Sequence, residues 1–115
     1  METEINLSEL IGYYKQNQIN MYKGGMAKEI AEILLYIDTE HLAKAEGWIR
    51  KAIEADEQSG MRWQLACDYG LYADFFQRKS DNRNAQENYS KAISIYGECG
   101  ADGWVKKYEK ELAEL

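Results

Sequence analysis

The residues of this sequence that could carry chemistry are few and scattered. His41 is the only histidine, and it follows Glu40 at the predicted start of a helix. A catalytic site would need a nucleophile or acid beside it, held in place by a third group. The sequence offers no such set, so His41 is interpreted as a solvated residue at a helix end. We predict no catalytic residue and no enzyme.

The two cysteines and the single glycine pair do not form a site either. Cys67 and Cys99 each lie inside a helical pattern, with no second cysteine or histidine near enough to complete a metal set. Both are predicted to be reduced, buried, small apolar residues. Gly24-Gly25 is not followed by Lys-Ser or Lys-Thr and does not match a phosphate loop. We predict no metal and no other cofactor.

Charge and hydropathy exclude two classes of partner. Fourteen basic residues against twenty acidic ones give a net charge of −6, and the basic residues form no face that would neutralise phosphates, which disfavours nucleic acid. The longest apolar run, 30–37, is interrupted by Glu32 and is too short to span a membrane. The first residues lack the positive region of a signal peptide. A cytoplasmic protein without membrane contact is expected.

Six amphipathic helices account for the spacing of apolar residues. Proline is absent, and helix-forming residues dominate. The first helices are predicted at about 7–22, 26–37 and 40–58, with Gly24-Gly25 as the first break and Gly60 as a left-handed helix end. A fourth and a fifth helix flank a turn at 80–82, and a last one lies within 103–115. Short links make neighbouring helices antiparallel, so the predicted fold is all-α, with stacked antiparallel helical hairpins.

The chain also repeats itself. Lys51-Ala52-Ile53 recurs 40 residues later as Lys91-Ala92-Ile93, and Gly60 returns as Gly100. A fixed period of this length is typical of stacked structural units, each of which buries its apolar face on its neighbours. Small residues at equivalent places are predicted to mark the closest approach of helices: Ala45, Ala52, Ala85 and Ala92.

The second of these units resembles a tetratricopeptide repeat (TPR). The family pattern is an aromatic, a large apolar residue, a small residue and an aromatic on the first helix, then alanine, an aromatic and alanine on the second. Here these positions carry, in order, Tyr69, Tyr72, Ala73, Phe76, Ala85, Tyr89 and Ala92. The first unit is similar at Ile33, Tyr36, Ala45, Ile49 and Ala52 but has Glu29 where the first aromatic belongs.

The repeat departs from the family in length. A usual unit has about 34 residues and ends near a proline, whereas this one is longer and has no proline. Long units of this kind look like those in the sensor arrays of bacterial signalling ATPases and transcriptional activators. The resemblance implies a single TPR-like domain over 1–115, with a leading helix at 7–22, repeats at 26–60 and 61–100, and a terminal capping helix at 103–115.

In the family, the first helix of each unit lines a groove that receives a peptide or helix of a partner. Carried over by position, the groove of the first unit would include Ile30, Leu34, Ile37 and Asp38. That of the second would include Cys67, Gly70, Asp74, Gln77 and Arg78, extended by Lys106, Lys107 and Lys110 of the last helix. The Lys and Asn pair that grips a C-terminal carboxylate in chaperone-binding members is absent from those positions.

Simpler interpretations stay open for the same residues. Asp74 and Arg78, four residues apart, would also suit an ion pair on a solvated surface. Ile30 and Leu34 would also suit burial against the leading helix. The tryptophans fit either an interface anchor or packing between hairpins: Trp48, Trp63 and Trp104.

The predicted function is that of a non-enzymatic scaffold in signalling, which binds a protein or peptide in a TPR-type groove. The alternative is an element for homo-oligomerisation, with a homodimer as its simplest form. A four-helix-bundle enzyme would need Glu-x-x-His motifs, and the residue three before His41 is Asp38 rather than glutamate.

Overall fold

The structure is a computed structural model in which residues 11, 12, 15, 20–37 and 42–115 are described. Within these residues every regular element is helical, which confirms the all-α class. The helices are α1 Asn20–Ile37, α2 Leu42–Gln58, α3 Arg62–Arg78, α4 Asn82–Glu98 and α5 Asp102–Ala113. The predicted leading helix lies mostly outside the described residues, and Asp38 and His41 also lie outside them.

The chain divides into two compact units, Met1–Gly60 and Met61–Leu115. In the first unit α1 packs against α2. Apart from the buried carboxylate Asp56 of α2, their buried side chains are small or aliphatic, namely Ala27, Ile30, Ala31, Leu34, Leu35, Ala45, Ile49 and Ala52. Ile30 and Leu34, predicted for the groove, are only 0% and 3% exposed, so a partner cannot reach their side chains. Both residues are thus buried, and their predicted partner in that burial, the leading helix, lies mostly outside the described residues.

In the second unit α4 packs against both α3 and α5. The order of side-chain contacts shows that α3 and α4 are antiparallel. Arg62 at the start of α3 donates to Glu98 at the end of α4, with Nη2 and Oε2 2.6 Å apart. Tyr89, in the middle of α4, bonds to Asp74, in the second half of α3. The alanines predicted at the closest approach, Ala85 and Ala92, are completely buried.

Three helix ends adopt the left-handed backbone conformation. Gly60 and Gly100, which are equivalent in the repeat, have φ angles of 67° and 72°, as predicted for Gly60, and Ser80 has a φ of 60°. At two of these ends, the amide three residues beyond the helix bonds back five residues, from Asp81 to the Phe76 carbonyl and from Ala101 to the Tyr96 carbonyl, each at 2.9 Å. These bonds satisfy carbonyls that the helix leaves open and make the left-handed residue necessary.

The predicted break at Gly24-Gly25 is wrong, because α1 is continuous through both residues. Glycine in a helix interior loses more backbone entropy than alanine but is sterically compatible with helical angles. The helix therefore tolerates the pair while the packed α1 and α2 supply its stability.

The predicted burial of Cys99 is also wrong. Cys99 is exposed and Cys67 is half-buried, and both are free thiols. Cys99 is the residue at which α4 ends, just before the left-handed Gly100. The chain turns away there, so the helical spacing that predicts an inward side chain no longer applies.

Replacing Ser80 with glycine is expected to stabilise the protein. The left-handed conformation costs a residue with a Cβ about 1–2 kcal/mol, and glycine in turn has a larger entropy to lose on folding. The expected net gain in the free energy of unfolding is about 0.5–1 kcal/mol, measured by urea denaturation. The matched control is Ser90→Gly, an exposed serine inside α4, which should lose stability. An equal loss of unfolding free energy in Ser80→Gly and Ser90→Gly would contradict the left-handed conformation of Ser80.

Replacing Gly25 with alanine should stabilise the first unit if α1 is continuous. An added Cβ at Gly25 would meet no atom within 4 Å, and the backbone angle is not left-handed. The expected gain is about 0.5–1 kcal/mol, seen as a higher melting temperature in circular dichroism. Gly60→Ala is the contrast, because its positive φ makes a Cβ unfavourable and the melting temperature should fall. A lower melting temperature for Gly25→Ala would contradict a continuous α1 and would support a helix break at Gly24-Gly25.

Candidate functional site

Side chains of α3 and of α5, which both pack on α4, contact each other. On each of the two helices, the residues involved are three or four apart and therefore form a stripe along one side of the helix. We call this surface the α3–α5 face, made of Trp63, Cys67, Gly70, Asp74 and Gln77 on α3 and of Trp104, Lys107, Tyr108 and Glu111 on α5.

The centre of the face is a close contact between Gly70 and Tyr108. A Cβ placed on Gly70 would lie 2.5 Å from the hydroxyl oxygen of Tyr108 and 2.8 Å from the ring carbon that bears it. Only glycine leaves room for the ring at this point. The ring is held in turn by its neighbours on α4, with centroid distances of 5.6 Å to Tyr89 and 5.8 Å to Tyr96.

Two tyrosines of α4 form the floor between α3 and α5. Tyr89 and Tyr96 are completely buried side chains. Burial raises the pKa of both phenols, and the neighbouring Asp74 and Cys67 raise it further. Both phenols therefore stay protonated at neutral pH. The Tyr96 hydroxyl lies 3.0 Å from the Cys67 sulfur.

The Tyr89 hydroxyl organises the polar half of the face. It lies 2.6 Å from Oδ1 of Asp74 and 2.9 Å from Oε1 of Gln77. Asp74 is half-buried, and this burial raises the pKa of its carboxyl, an effect that the bond from Tyr89 opposes. Glu111 also raises that pKa, whereas Lys107 lowers it. Charged groups of α5 thus act on a carboxylate of α3.

The other half of the face is aromatic. Trp63 and Trp104 meet edge to face, with ring centroids 6.2 Å apart and planes at 84°. Tyr96 lies beneath both rings, at 5.2 Å from Trp63 and 5.6 Å from Trp104. Even so, Trp63 remains 45% exposed and Trp104 38%, and these are the large apolar side chains left exposed within the described residues. The Lys107 ammonium lies 4.7 Å from the Trp104 ring.

The structure brings together some of the predicted groove residues of the second unit and leaves others beside them. Asp74, Gln77 and Lys107 come together on the α3–α5 face. Arg78 is exposed beside it and lowers the pKa of the Asp74 carboxyl through space, while the bonded partner of that carboxyl is Tyr89. Lys110 is exposed one turn beyond Lys107.

From the sequence alone, Trp63 and Trp104 fit either an interface anchor or packing between hairpins. Trp63 precedes Cys67 by four residues and therefore continues the predicted stripe of α3 to its first turn. That spacing was a usable signal. The exposure of Trp104, in contrast, depends on how α5 packs on α4, and Glu111 enters the site only through its position opposite Asp74.

Comparison with known protein families, with curated proteins and with solved structures finds no match. The resemblance to TPR units therefore rests on the residues of this chain alone. Of the described helices, none is both long enough and apolar enough to cross a lipid bilayer. Within the part of the chain that the structure describes, no three or more His, Cys, Asp or Glu side chains are grouped to hold a metal ion.

Replacing Gly70 with alanine is expected to destabilise the second unit. The new methyl group would clash with the Tyr108 hydroxyl, 2.5 Å away, and the rings of Tyr89 and Tyr96 limit how far the tyrosine can move. Overpacking of this kind typically costs about 1–3 kcal/mol. The free energy of unfolding can be measured by urea denaturation with tryptophan fluorescence, since Trp63 and Trp104 report on this unit.

Gly97→Ala is the matched control for this substitution. Gly97 also lies in a helix of the second unit, but an added Cβ there meets no atom within 4 Å. This variant should be neutral or gain about 0.5–1 kcal/mol. If Gly70→Ala behaved like Gly97→Ala, the contact between α3 and α5 would be refuted. In a Tyr108→Ala background the Gly70→Ala substitution should lose most of its effect.

Proposed function

We propose that this chain is a non-enzymatic protein-interaction module that binds a peptide or helix of a partner protein along the α3–α5 face. The finer architecture that we propose is a TPR-like stack of antiparallel helical hairpins. The antiparallel pairing of α3 with α4 and the left-handed Gly60 and Gly100, 40 residues apart, support it. A role in a bacterial signalling protein of the cytoplasm stays a prediction from the resemblance.

The observation that carries this proposal is the exposed pair Trp63 and Trp104. Two large aromatic side chains from different helices are held together on rigid elements while more than a third of each stays in water. Tryptophan concentrates binding energy at interfaces because it buries much apolar area with little loss of side-chain entropy. A partner that covered both rings would gain that area.

The polar half of the face supports the same function. Asp74 is fixed by Tyr89, and Gln77 is exposed next to it. Interfaces commonly combine an apolar anchor with a few positioned polar groups that set the register of the partner. The α3–α5 face has this arrangement along one line of α3, with the anchor in its first turn and the polar groups near its end.

Selection of peptides tests the proposal without a known partner. A random peptide library displayed on phage is selected on the immobilised protein, and the selected peptides are measured by fluorescence anisotropy. We expect Trp63→Ala or Trp104→Ala to weaken binding about tenfold or more, as truncation of an interface anchor does. Trp48→Ala removes a half-buried tryptophan of α2 and should leave the affinity unchanged.

A second pair of variants serves in case the tryptophan variants unfold. Arg78→Glu and Arg83→Glu both reverse an exposed arginine near the turn between α3 and α4, but only Arg78 lies beside Asp74. The affinity for the selected peptides should change in Arg78→Glu and should not change in Arg83→Glu. Peptides bound equally by all variants, or no selected peptide at all, would refute the proposed face.

Homo-oligomerisation is the alternative, and it would use the same exposed rings. Sedimentation velocity over a wide range of concentrations separates the two functions. A protein that stays monomeric would exclude self-association. A dimer that Trp63→Ala dissociates would instead make a second copy of this chain the occupant of the face.

A further inference from the structure

We infer that the partner segment is acidic and apolar: it places an aromatic or branched aliphatic side chain on Trp63 and Trp104 and a carboxylate against Lys107. This inference rests on the proposed function and adds the chemistry of the partner. Both parts of it come from the aromatic half of the α3–α5 face.

The apolar part follows from the geometry of the two tryptophans. Their rings are already in edge-to-face contact, so no slot is left between them for a planar group. What they offer is a ridge of exposed ring surface above the buried Tyr96. An aromatic or branched aliphatic side chain laid across this ridge removes apolar area from water on both rings at once.

The acidic part follows from the charges beside the ridge. Lys107 is exposed, and its ammonium lies over the Trp104 ring at 4.7 Å and near the Tyr108 ring at 5.7 Å. Arg62, on the other side, is already paired with Glu98 at 2.6 Å. The exposed charge left beside the tryptophans is therefore positive, although the chain as a whole carries −6.

The acidic groups of the face, Asp74 and Glu111, lie in its polar half, where Lys107 also acts on the Asp74 carboxyl through space. Asp74 and Glu111 are both half-buried, and the Asp74 carboxylate accepts the Tyr89 hydroxyl. Asp102 is exposed, but it precedes Trp104 by two residues and so projects from the far side of α5. The ammonium that lies over the Trp104 ring is that of Lys107, so a carboxylate next to a side chain seated on this ring would contact Lys107.

The start of α3 adds partial charge of the same sign. α3 and α5 both begin at the aromatic half, and neither Met61 nor Ala101 supplies a side-chain cap. Asp102 in the first turn of α5 offsets the charge there, whereas α3 has no acidic residue in its first turn. α4 begins at the opposite end and is capped by Asp81. Uncapped amides at a helix start carry partial positive charge. This charge adds to that of Lys107.

A nucleic acid, whose bases could also stack on tryptophan, fits these charges less well. Affinity for nucleic acid comes mainly from neutralising many phosphates. The exposed Lys107 beside the tryptophans, in a chain with a net charge of −6, cannot supply that contribution. A protein segment needs only one or two carboxylates next to its apolar anchor, and this the face can match.

The composition of selected peptides tests the inference. Peptides from a random library that need Trp63 and Trp104 for binding are sequenced and compared with the unselected library. We expect enrichment of Asp and Glu next to Trp, Phe, Leu or Ile. Peptides that depend on the two tryptophans but are basic, or that lack apolar residues, would overturn this inference and leave the proposed function standing. If no selected peptide depends on the tryptophans, the proposed function fails as well.

The role of Lys107 is tested with its neighbour as the control. Lys106 is also exposed but precedes Lys107 by one residue and points away from Trp104. Lys107→Glu should weaken binding of the selected peptides about five- to tenfold and favour basic peptides in a new selection, whereas Lys106→Glu should do neither. Lys107→Met, which keeps the stem without the charge, serves if the reversal disturbs folding. Equal effects at both lysines would contradict the contact.

Discussion

The contact of Tyr108 with Gly70 is the constraint on which the rest of the second unit depends. It sets how closely α5 can approach α3 while both pack on α4. If the helices were further apart, the rings of Trp63 and Trp104 could not meet, and the charges of α5 would act less on the Asp74 carboxyl. One missing side chain thus determines both halves of the α3–α5 face. Because the Tyr108 ring is itself held by Tyr89 and Tyr96, the distance is a property of the packed core and not of the surface.

The core and the candidate site share atoms. Tyr89 and Tyr96 are completely buried, yet their hydroxyls reach Asp74 and Cys67 on the stripe of α3. A buried hydroxyl must find a hydrogen-bond partner, and here the partners are residues of the face. The polar groups of the site are therefore oriented from below by the same side chains that fill the core. Substitutions of the buried Tyr89 or Tyr96 would change both the stability of the protein and the shape of the face. Substitutions of exposed residues such as Lys107 can change the face without changing the stability.

The sequence predicted what depends on neighbours along the chain and missed what depends on neighbours in space. The ends of α2 and α4 at Gly60 and Gly100, the turn around Ser80 and the buried alanines follow from spacing and turn chemistry, and the structure agrees with them. The continuity of α1 through Gly24-Gly25 does not, because packing of α1 on α2 outweighs the low helix propensity of glycine. The exposure of Cys99 and of the tryptophans likewise depends on where the chain turns and on which helix covers which. For the site, the stripe of α3 and Lys107 of α5 were predicted from the sequence, but the contacts that Trp104, Tyr108 and Glu111 make with that stripe were not.

The 40-residue repeat accounts for similar helices and helix ends, whereas the residues of the candidate site differ between the repeated units. Positions 40 residues apart are equivalent at Gly60 and Gly100, which share one backbone conformation. Trp63 and Trp104 are 41 residues apart, so they are not equivalent, and the residue that does correspond to Lys107 is Cys67. The α3 side and the α5 side of the α3–α5 face therefore have different types of side chain at corresponding positions. A partner that lies across them meets a thiol and a carboxylate on α3 and a lysine, a tyrosine and a glutamate on α5, while Gly70 is covered by the Tyr108 ring. Such asymmetry fixes the direction in which a bound segment can run, since reversing the segment would exchange its apolar and acidic contacts and leave both unsatisfied.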